Sequence, residues 1–170
     1  LNLLLNAASQ MKDPGATVFA LERLVTYYPK KEYWVDLLSR MQRKPGFSDR
    51  LVLDTYRLSL ATGSMSSASD FMEMSQLALQ AGHELEAKQV VDKGFATGVL
   101  GTGAEADRHK RLRDLVMKRI DEAKAARAAA ESEANAAKDG NALVSLGFST
   151  ALGGDNRTGC AVVATLAAEL

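Results

Sequence analysis

The chain has 170 residues, the usual length of one domain, and its 21 basic and 21 acidic side chains balance. It therefore carries no overall field that would attract nucleic acid or an anionic membrane. Its one cysteine excludes an intramolecular disulfide framework and a multi-cysteine metal site, and no apolar run is long enough to cross a bilayer. We expect no nucleic-acid partner and no insertion into a membrane.

Chain-breaking residues divide the sequence into segments of helical length. Between the breaks, apolar residues recur every three or four positions, which is typical of amphipathic helices. The segment at 51–60 partly alternates like a strand, but its length and its helical neighbours favour a helix. The prediction is an all-α fold without a sheet. The breaks are "KDPG" at 12–15, "YYPKK" at 27–31, "RKPG" at 43–46, "ATGSMSS" at 61–67, "AGH" at 81–83, "TGVLGTG" at 97–103, "KDGN" at 138–141 and "GGDN" at 153–156.

Three stretches indicate where helices begin and end. The residues "SASD" at 67–70 have the spacing of a capping box, so a helix is predicted to begin there. The glycines of "GVLGTGAE" at 98–105 favour a turn over a phosphate-binding loop, because no strand precedes them and no Lys-Ser/Thr pair follows. No glycine or proline marks a turn in 104–138, so this stretch is either one long helix or a hairpin.

One apolar spacing recurs five times along the chain. In each copy an anchor residue is followed by further positions of the same helix face three, four and seven residues later, and a second helix comes next. The anchors are separated by 33, 37, 38 and 34 residues, which indicates a repeated helix–turn–helix unit. The anchors are Leu1, Trp34, Phe71, His109 and Leu143.

This pattern resembles the tetratricopeptide repeat, a helix–turn–helix unit of about 34 residues. The resemblance implies a superhelical solenoid of about five degenerate hairpins that covers 1–170 as a single domain. Arg113 departs from the pattern, because a small residue is expected at its position. Leu1 would begin in the middle of a helix, so we expect this domain to be a fragment of a longer chain. The matching residues are Pro29, Trp34, Ala87 and Gly147.

In tetratricopeptide proteins the first helix of each unit lines a concave groove that binds peptides, and the resemblance implies the same here. The groove positions are rich in amides, whose paired donors and acceptors suit an extended peptide backbone. Asn2 stands where chaperone-binding relatives have a lysine, so we expect no carboxylate clamp of that type. The predicted peptide-binding residues are Asn2, Asn6, Gln10, Ser39, Gln42, Met72, Gln76 and Gln80.

The sequence offers few groups for catalysis or metal binding. His83 lies in a predicted turn and His109 on a charged helix segment, and we expect both side chains to be solvated. Cys160 lies on an apolar segment, where a small buried thiol is expected. The basic cluster at 108–113 lacks aromatic neighbours and is followed by acidic residues, so it is interpreted as a solvated helix face. We expect no enzymatic activity, no metal and no cofactor.

These observations predict a non-enzymatic scaffold that binds a protein or peptide in the groove. A structural segment of a larger polypeptide is the alternative, and a helical enzyme is a third. Trp34 is expected to pack between the helices of its own hairpin, with stacking on a ligand as the alternative. The sequence "YPKKEYW" at 28–34 also resembles bacterial repeat proteins that are often exported, which favours the periplasm over the cytoplasm but leaves the compartment open.

Overall fold

The computed structural model describes residues 1–136 together with residues 140, 141, 144 and 147. Every regular element in this part of the chain is helical, and it contains no strand, as the sequence predicts. The elements are α1 (Asn2–Gln10), α2 (Pro14–Tyr27), α3 (Lys31–Gln42), a 3-10 turn (Asp49–Leu51), α4 (Val52–Ala61), α5 (Ala68–Gln80), α6 (Glu84–Ala96) and α7 (Ala106–Ala136).

The predicted breaks up to α7 separate the helices, and two of them supply the side chain that caps the next helix. The Asp13 carboxylate accepts a hydrogen bond from the Ala16 N–H at 2.9 Å, and Pro14 takes the first position of α2, where its missing N–H costs nothing. The Ser67 hydroxyl accepts one from the Asp70 N–H at 3.1 Å, so α5 begins where the capping box predicts. The partly alternating segment is helical and forms α4.

The larger of two apolar clusters is built mainly from α5, α6 and the first half of α7. All seven residues that the third repeat places on the inward faces of α5 and α6 are buried. Gly94 allows a close approach, because a Cβ atom there would lie 2.6 Å from Leu100 Cδ1 and 3.1 Å from Phe71 Cδ1. The inward faces of the third predicted hairpin are therefore confirmed. The seven residues are Phe71, Met74, Ser75, Ala78, Ala87, Val91 and Gly94.

The smaller cluster lies where α1, α2 and α3 meet, and it explains the position of Trp34. Its buried members are Leu21, Val25 and Leu37, and half-buried Trp34 packs against them. Leu21 and Val25 belong to α2, the helix that precedes the predicted hairpin of Trp34. The tryptophan therefore packs on the preceding unit, whereas the sequence placed it between the two helices of its own.

Of the two alternatives that the sequence leaves open for 104–138, the structure shows one long helix and not a fourth hairpin. The chain from 106 to 136 forms one helix of 31 residues, α7, which is about 46 Å long. The positions predicted for a second helix, Ala125, Ala129 and Ser132, are exposed on that same helix. Nothing in this stretch breaks a helix, and nine of the 15 residues in 123–137 are alanine, the residue with the highest helix propensity. Three helix pairs followed by one long helix therefore make up residues 1–136.

The helices pack in the order of the chain. Each one contacts the next, and α5 also contacts α7. The Cα atoms of α3 do not come within 8 Å of those of α1 or α5, so the first helices of these predicted units make no direct backbone contact. The structure thus establishes an all-α chain of sequentially packed helices. The fifth predicted hairpin lies outside the described residues, except for 144 and 147, as does Cys160.

Candidate functional site

The predicted peptide-binding residues lie on α1, α3 and α5, and the structure brings only part of them together. The Tyr33 hydroxyl on α3 donates a hydrogen bond to Asn2 Oδ1 on α1 at 3.0 Å, which links these two helices. No hydrogen bond or ion pair links α3 to α5 among the described residues. Ser39 is half-buried, and six of the others are exposed. The six are Asn2, Asn6, Gln10, Gln42, Gln76 and Gln80.

Met72 corrects the prediction for α5. The repeat pattern predicts that its side chain faces the groove. In the structure it lies in the larger cluster, with 6% of its surface exposed. The reason is that α5 contacts α4, α6 and α7, so it buries a wider face than a helix packed on one side. On the same helix, Gln76 and Gln80 remain exposed.

Five of the exposed amides have no hydrogen-bond partner among the residues that the structure describes. A primary amide carries two N–H donors and an oxygen acceptor, so each of these side chains can pair with a peptide group without breaking an existing bond. We call this set, together with Asn2, the amide face. The five are Asn6, Gln10, Gln42, Gln76 and Gln80.

A surface depression of about 530 Å³ lies along α3. Glu32, Val35 and Ser39 line it, and Ser39 is one of the predicted peptide-binding residues. The Ser39 carbonyl accepts a hydrogen bond from Arg43 Nε at 3.1 Å, and its hydroxyl contacts the same guanidinium. Val35 remains 45% exposed in this depression. The depression can therefore accept an apolar side chain beside polar groups.

A second depression, which the sequence did not predict, lies where α6 begins and faces the middle of α7. It has a volume of about 490 Å³, and we call it the α6–α7 cleft. Its mouth combines apolar and charged side chains. The residues that line it are Arg57, Gly82, His83, Glu84, Leu85 and Glu86 on one side and Ile120, Ala123, Lys124 and Arg127 on the other.

Arg57 and Glu86 form a bidentate ion pair that joins α4 to α6 at this cleft. Arg57 Nε and Nη2 donate to the two Glu86 carboxylate oxygens at 2.7 and 2.6 Å, and Nη1 donates to Asp54 at 2.8 Å. The hydrogen bonds from Arg57 lower the pKa of Glu86, against the opposing effect of burial. These two residues are 29 positions apart, so no local sequence pattern could have revealed the pair.

The lowered pKa of Glu86 predicts how stability depends on pH. A carboxyl group whose pKa is lower in the folded chain stabilises the fold at pH values above its unfolded pKa of about 4.3, and this contribution is lost as the pH falls through the folded pKa. Glu86→Gln should therefore cost about 1 kcal/mol at neutral pH and nothing once the pH is below the folded pKa. Urea denaturation from neutral pH down to about pH 3 measures the difference.

Glu22→Gln provides the control for this prediction. Glu22 is exposed on α2, and its carboxylate forms no ion pair with any described residue. We expect this variant to match the parent within about 0.5 kcal/mol across the same pH range. A cost of Glu86→Gln that stayed constant as the carboxyl was protonated would contradict the assigned role of the ion pair.

His109 corrects another prediction. It is not solvated on a charged face but 3% exposed, in line with Leu112 and Val116 on the buried side of α7. Its Nδ1 accepts a hydrogen bond from the Gly101 N–H at 3.1 Å, which attaches the glycine-containing turn to α7. Its buried Nε2 has no hydrogen-bond partner among the described residues. Arg113, which departs from the repeat pattern, instead lies over the Phe95 ring at 5.1 Å.

The remaining predicted groups show no sign of a reactive centre in the described residues. His83 is exposed at the N-terminal end of α6, as expected. No cluster of three or more His, Cys, Asp or Glu side chains that could hold a metal ion occurs in this part of the chain. Among the helices described, none has both the length and the apolar character needed to span a bilayer.

The chain matches no family model, no curated protein and no solved structure. The features of this chain that bear on its function are therefore its own two surfaces, the amide face and the α6–α7 cleft.

Proposed function

We propose that this chain is a non-enzymatic helical scaffold that binds a protein or peptide partner along the amide face. In this proposal the helices continue the curvature of a tetratricopeptide-like solenoid, and α1, α3 and α5 line its concave side. The observation that carries the proposal is the set of five exposed amides without partners in the described residues. Such groups can bind the backbone of an extended segment, whose N–H and C=O groups also need partners.

The depression along α3 supports the same surface. Val35 is partly exposed there next to the polar groups of Glu32 and Ser39. Backbone hydrogen bonds alone do not select a sequence, whereas a depression that accepts one side chain does. A partner would therefore be held by its backbone on the amides and recognised by an apolar side chain beside Val35.

A second candidate function is favoured by the outer surface of α1. Leu3 on α1 is 85% exposed, and Met11, the residue that follows this helix, is 76% exposed. A helix that exposes large apolar residues in this way can pack against further helices of a larger polypeptide. In that case the chain would be a structural segment, and the amide face would bind nothing.

The experiment that tests the proposal begins with capture of a partner from cell extract on the immobilised chain, followed by measurement of its affinity for purified variants. Asn6→Ala combined with Gln76→Ala should weaken binding by about tenfold, since neutral hydrogen bonds contribute about 0.5–1.5 kcal/mol each. Binding should change little with ionic strength, because neutral hydrogen bonds are screened much less than charges. Helicity and melting should be unchanged, because both side chains are exposed.

Two sets of control substitutions separate this face from the rest of the surface. Gln89→Ala combined with Asn135→Ala removes two exposed amides from α6 and α7 and should leave the affinity unchanged. Neutralising Arg108, Lys110 and Arg111 should also have little effect, because these side chains lie outside the amide face. If the basic triple variant abolished binding and the amide variant did not, the proposed function would be refuted.

A further inference from the structure

The α6–α7 cleft places charged side chains beside an apolar surface, whereas the amide face consists of neutral amides. Leu85 on α6 is 64% exposed at the mouth of the cleft, and Ile120 and Ala123 of α7 also line it. Lys124 and Arg127 follow on the α7 side. Since they are three residues apart, they lie one above the other on the same side of the helix. The cleft thus combines an apolar surface with a pair of neighbouring cations.

These two cations differ from most of the other basic residues of α7. Arg108, Lys110, Lys118 and Arg119 all pair with acidic side chains one turn away. Lys124 and Arg127, in contrast, have no ion-pair partner among the described residues. Both are exposed, and their charges remain available to an incoming group.

The acidic residues across the cleft do not neutralise them. Glu86 is already held by Arg57 through two hydrogen bonds, and Arg57 in turn also binds Asp54. Glu84 is the remaining acidic side chain in the lining, and it makes no ion pair in the described part of the chain. Two cations on α7 therefore face one free carboxylate on α6, so charge complementarity favours an acidic occupant on the α7 side.

We propose that the α6–α7 cleft is a docking site for an acidic peptide segment of a partner protein, with carboxylates on Lys124 and Arg127 and an apolar side chain on Leu85 and Ala123. The guanidinium of Arg127 can hold a carboxylate through two parallel hydrogen bonds, and the ammonium of Lys124 adds a second charge. This site is separate from the amide face, and its binding depends on salt, whereas binding at the amide face does not.

The test uses a short fluorescein-labelled peptide made of leucine, alanine and glutamate, with fluorescence anisotropy as the readout. The unmodified chain should bind it, and the same peptide with glutamine in place of glutamate should bind about tenfold more weakly or not at all. Lys124→Glu combined with Arg127→Glu should weaken binding of the acidic peptide by about tenfold or more. Glu84→Gln should strengthen it, because this change removes the carboxylate that, among the described lining residues, makes no ion pair.

The matched control is Arg111→Glu combined with Lys118→Glu, which changes the net charge by the same amount on the same helix. Lys118 precedes Ile120 by two residues, about 200° around α7, so this pair lies away from the cleft. We expect the control to bind the acidic peptide like the parent, as should the amide-face variant Asn6→Ala with Gln76→Ala. Failure of the proposed acidic-peptide site can therefore be distinguished from failure of the proposed function at the amide face.

Three results would overturn the proposal. One is a parent chain that does not prefer the glutamate peptide over the glutamine peptide. Another is an equal loss of binding in the cleft variant and in the matched control, which would indicate a general charge effect. The third is displacement of the acidic peptide by a single-stranded RNA oligonucleotide at lower concentration than by unlabelled acidic peptide, since RNA would then be the better occupant. Circular dichroism checks that each variant keeps its helix content.

Discussion

Replacing Ala87 with leucine will lower the free energy of unfolding by about 3 kcal/mol. Ala87 lies in α6 with 0% of its surface exposed, inside the cluster that α5, α6 and α7 share. Leucine adds three heavy atoms at a position where the neighbours are already close-packed, so the helices must separate or the side chain must take a strained conformation. Urea denaturation of the two proteins, followed by circular dichroism, measures the loss.

Ala96→Leu is the matched control for this prediction. Ala96 is the last residue of the same helix, and it is exposed. The change in helix propensity from alanine to leucine is small at both positions, so only packing distinguishes them. We expect a loss of no more than about 0.5 kcal/mol at Ala96. Equal losses at the two positions would mean that the inward face of α6 is wrongly assigned.

The sequence predicts most helix boundaries because the signals at those boundaries are local and strong. Asp13 followed by Pro14, and Ser67 three residues before Asp70, cap the helices that begin there. The sequence leaves α7 undecided between one helix and a hairpin for the opposite reason. There the repeat period favours two helices, but no residue in the stretch breaks a helix. The high helix propensity of its alanines therefore produces one long helix. A repeat period is weaker evidence than the residues of the turn itself.

The environment of single side chains is harder to predict, because it depends on how many helices surround them. Met72 occupies a groove position in the repeat pattern, but α5 has three neighbours, and the side chain is buried. The charged residues around His109 suggested a solvated face, although its spacing from Leu112 and Val116 is that of one buried side. The helical spacing therefore predicts the burial of His109 correctly, whereas the charged residues around it do not.

The α6–α7 cleft depends on contacts between segments that are distant in the sequence. The pairing of Arg57 with Glu86 leaves Glu84 as the free carboxylate of the lining, and this assignment of partners requires the structure. Part of the signal was nevertheless present in the sequence. Lys124 and Arg127 are two basic residues at helical spacing in an alanine-rich stretch, with Asp121 three residues before the first and Glu131 four residues after the second. That spacing predicts two neighbouring cations on one side of the helix, whereas the absence of ion pairs with these carboxylates among the described residues requires the structure.

Trp34→Ala will lower the free energy of unfolding by about 2 kcal/mol. Complete burial of a tryptophan makes this substitution cost about 3–5 kcal/mol, and Trp34 is half-buried against Leu21, Val25 and Leu37. Because the lost contacts join α3 to α2, we expect the N-terminal helices to loosen first. Trp34 is the only tryptophan of the chain, so unfolding of the variant must be followed by circular dichroism and not by intrinsic fluorescence.

Tyr27→Ala is the control, because this aromatic residue at the end of α2 is 61% exposed and should cost no more than about 0.5 kcal/mol. Trp34→Phe should recover part of the stability, since a phenylalanine ring fills part of the same space. The affinity for the captured partner is measured on the same three variants. If Trp34→Ala proved as stable as the parent but bound the partner less tightly, the packing role would be refuted, and the exposed part of the indole would be assigned to stacking on a ligand.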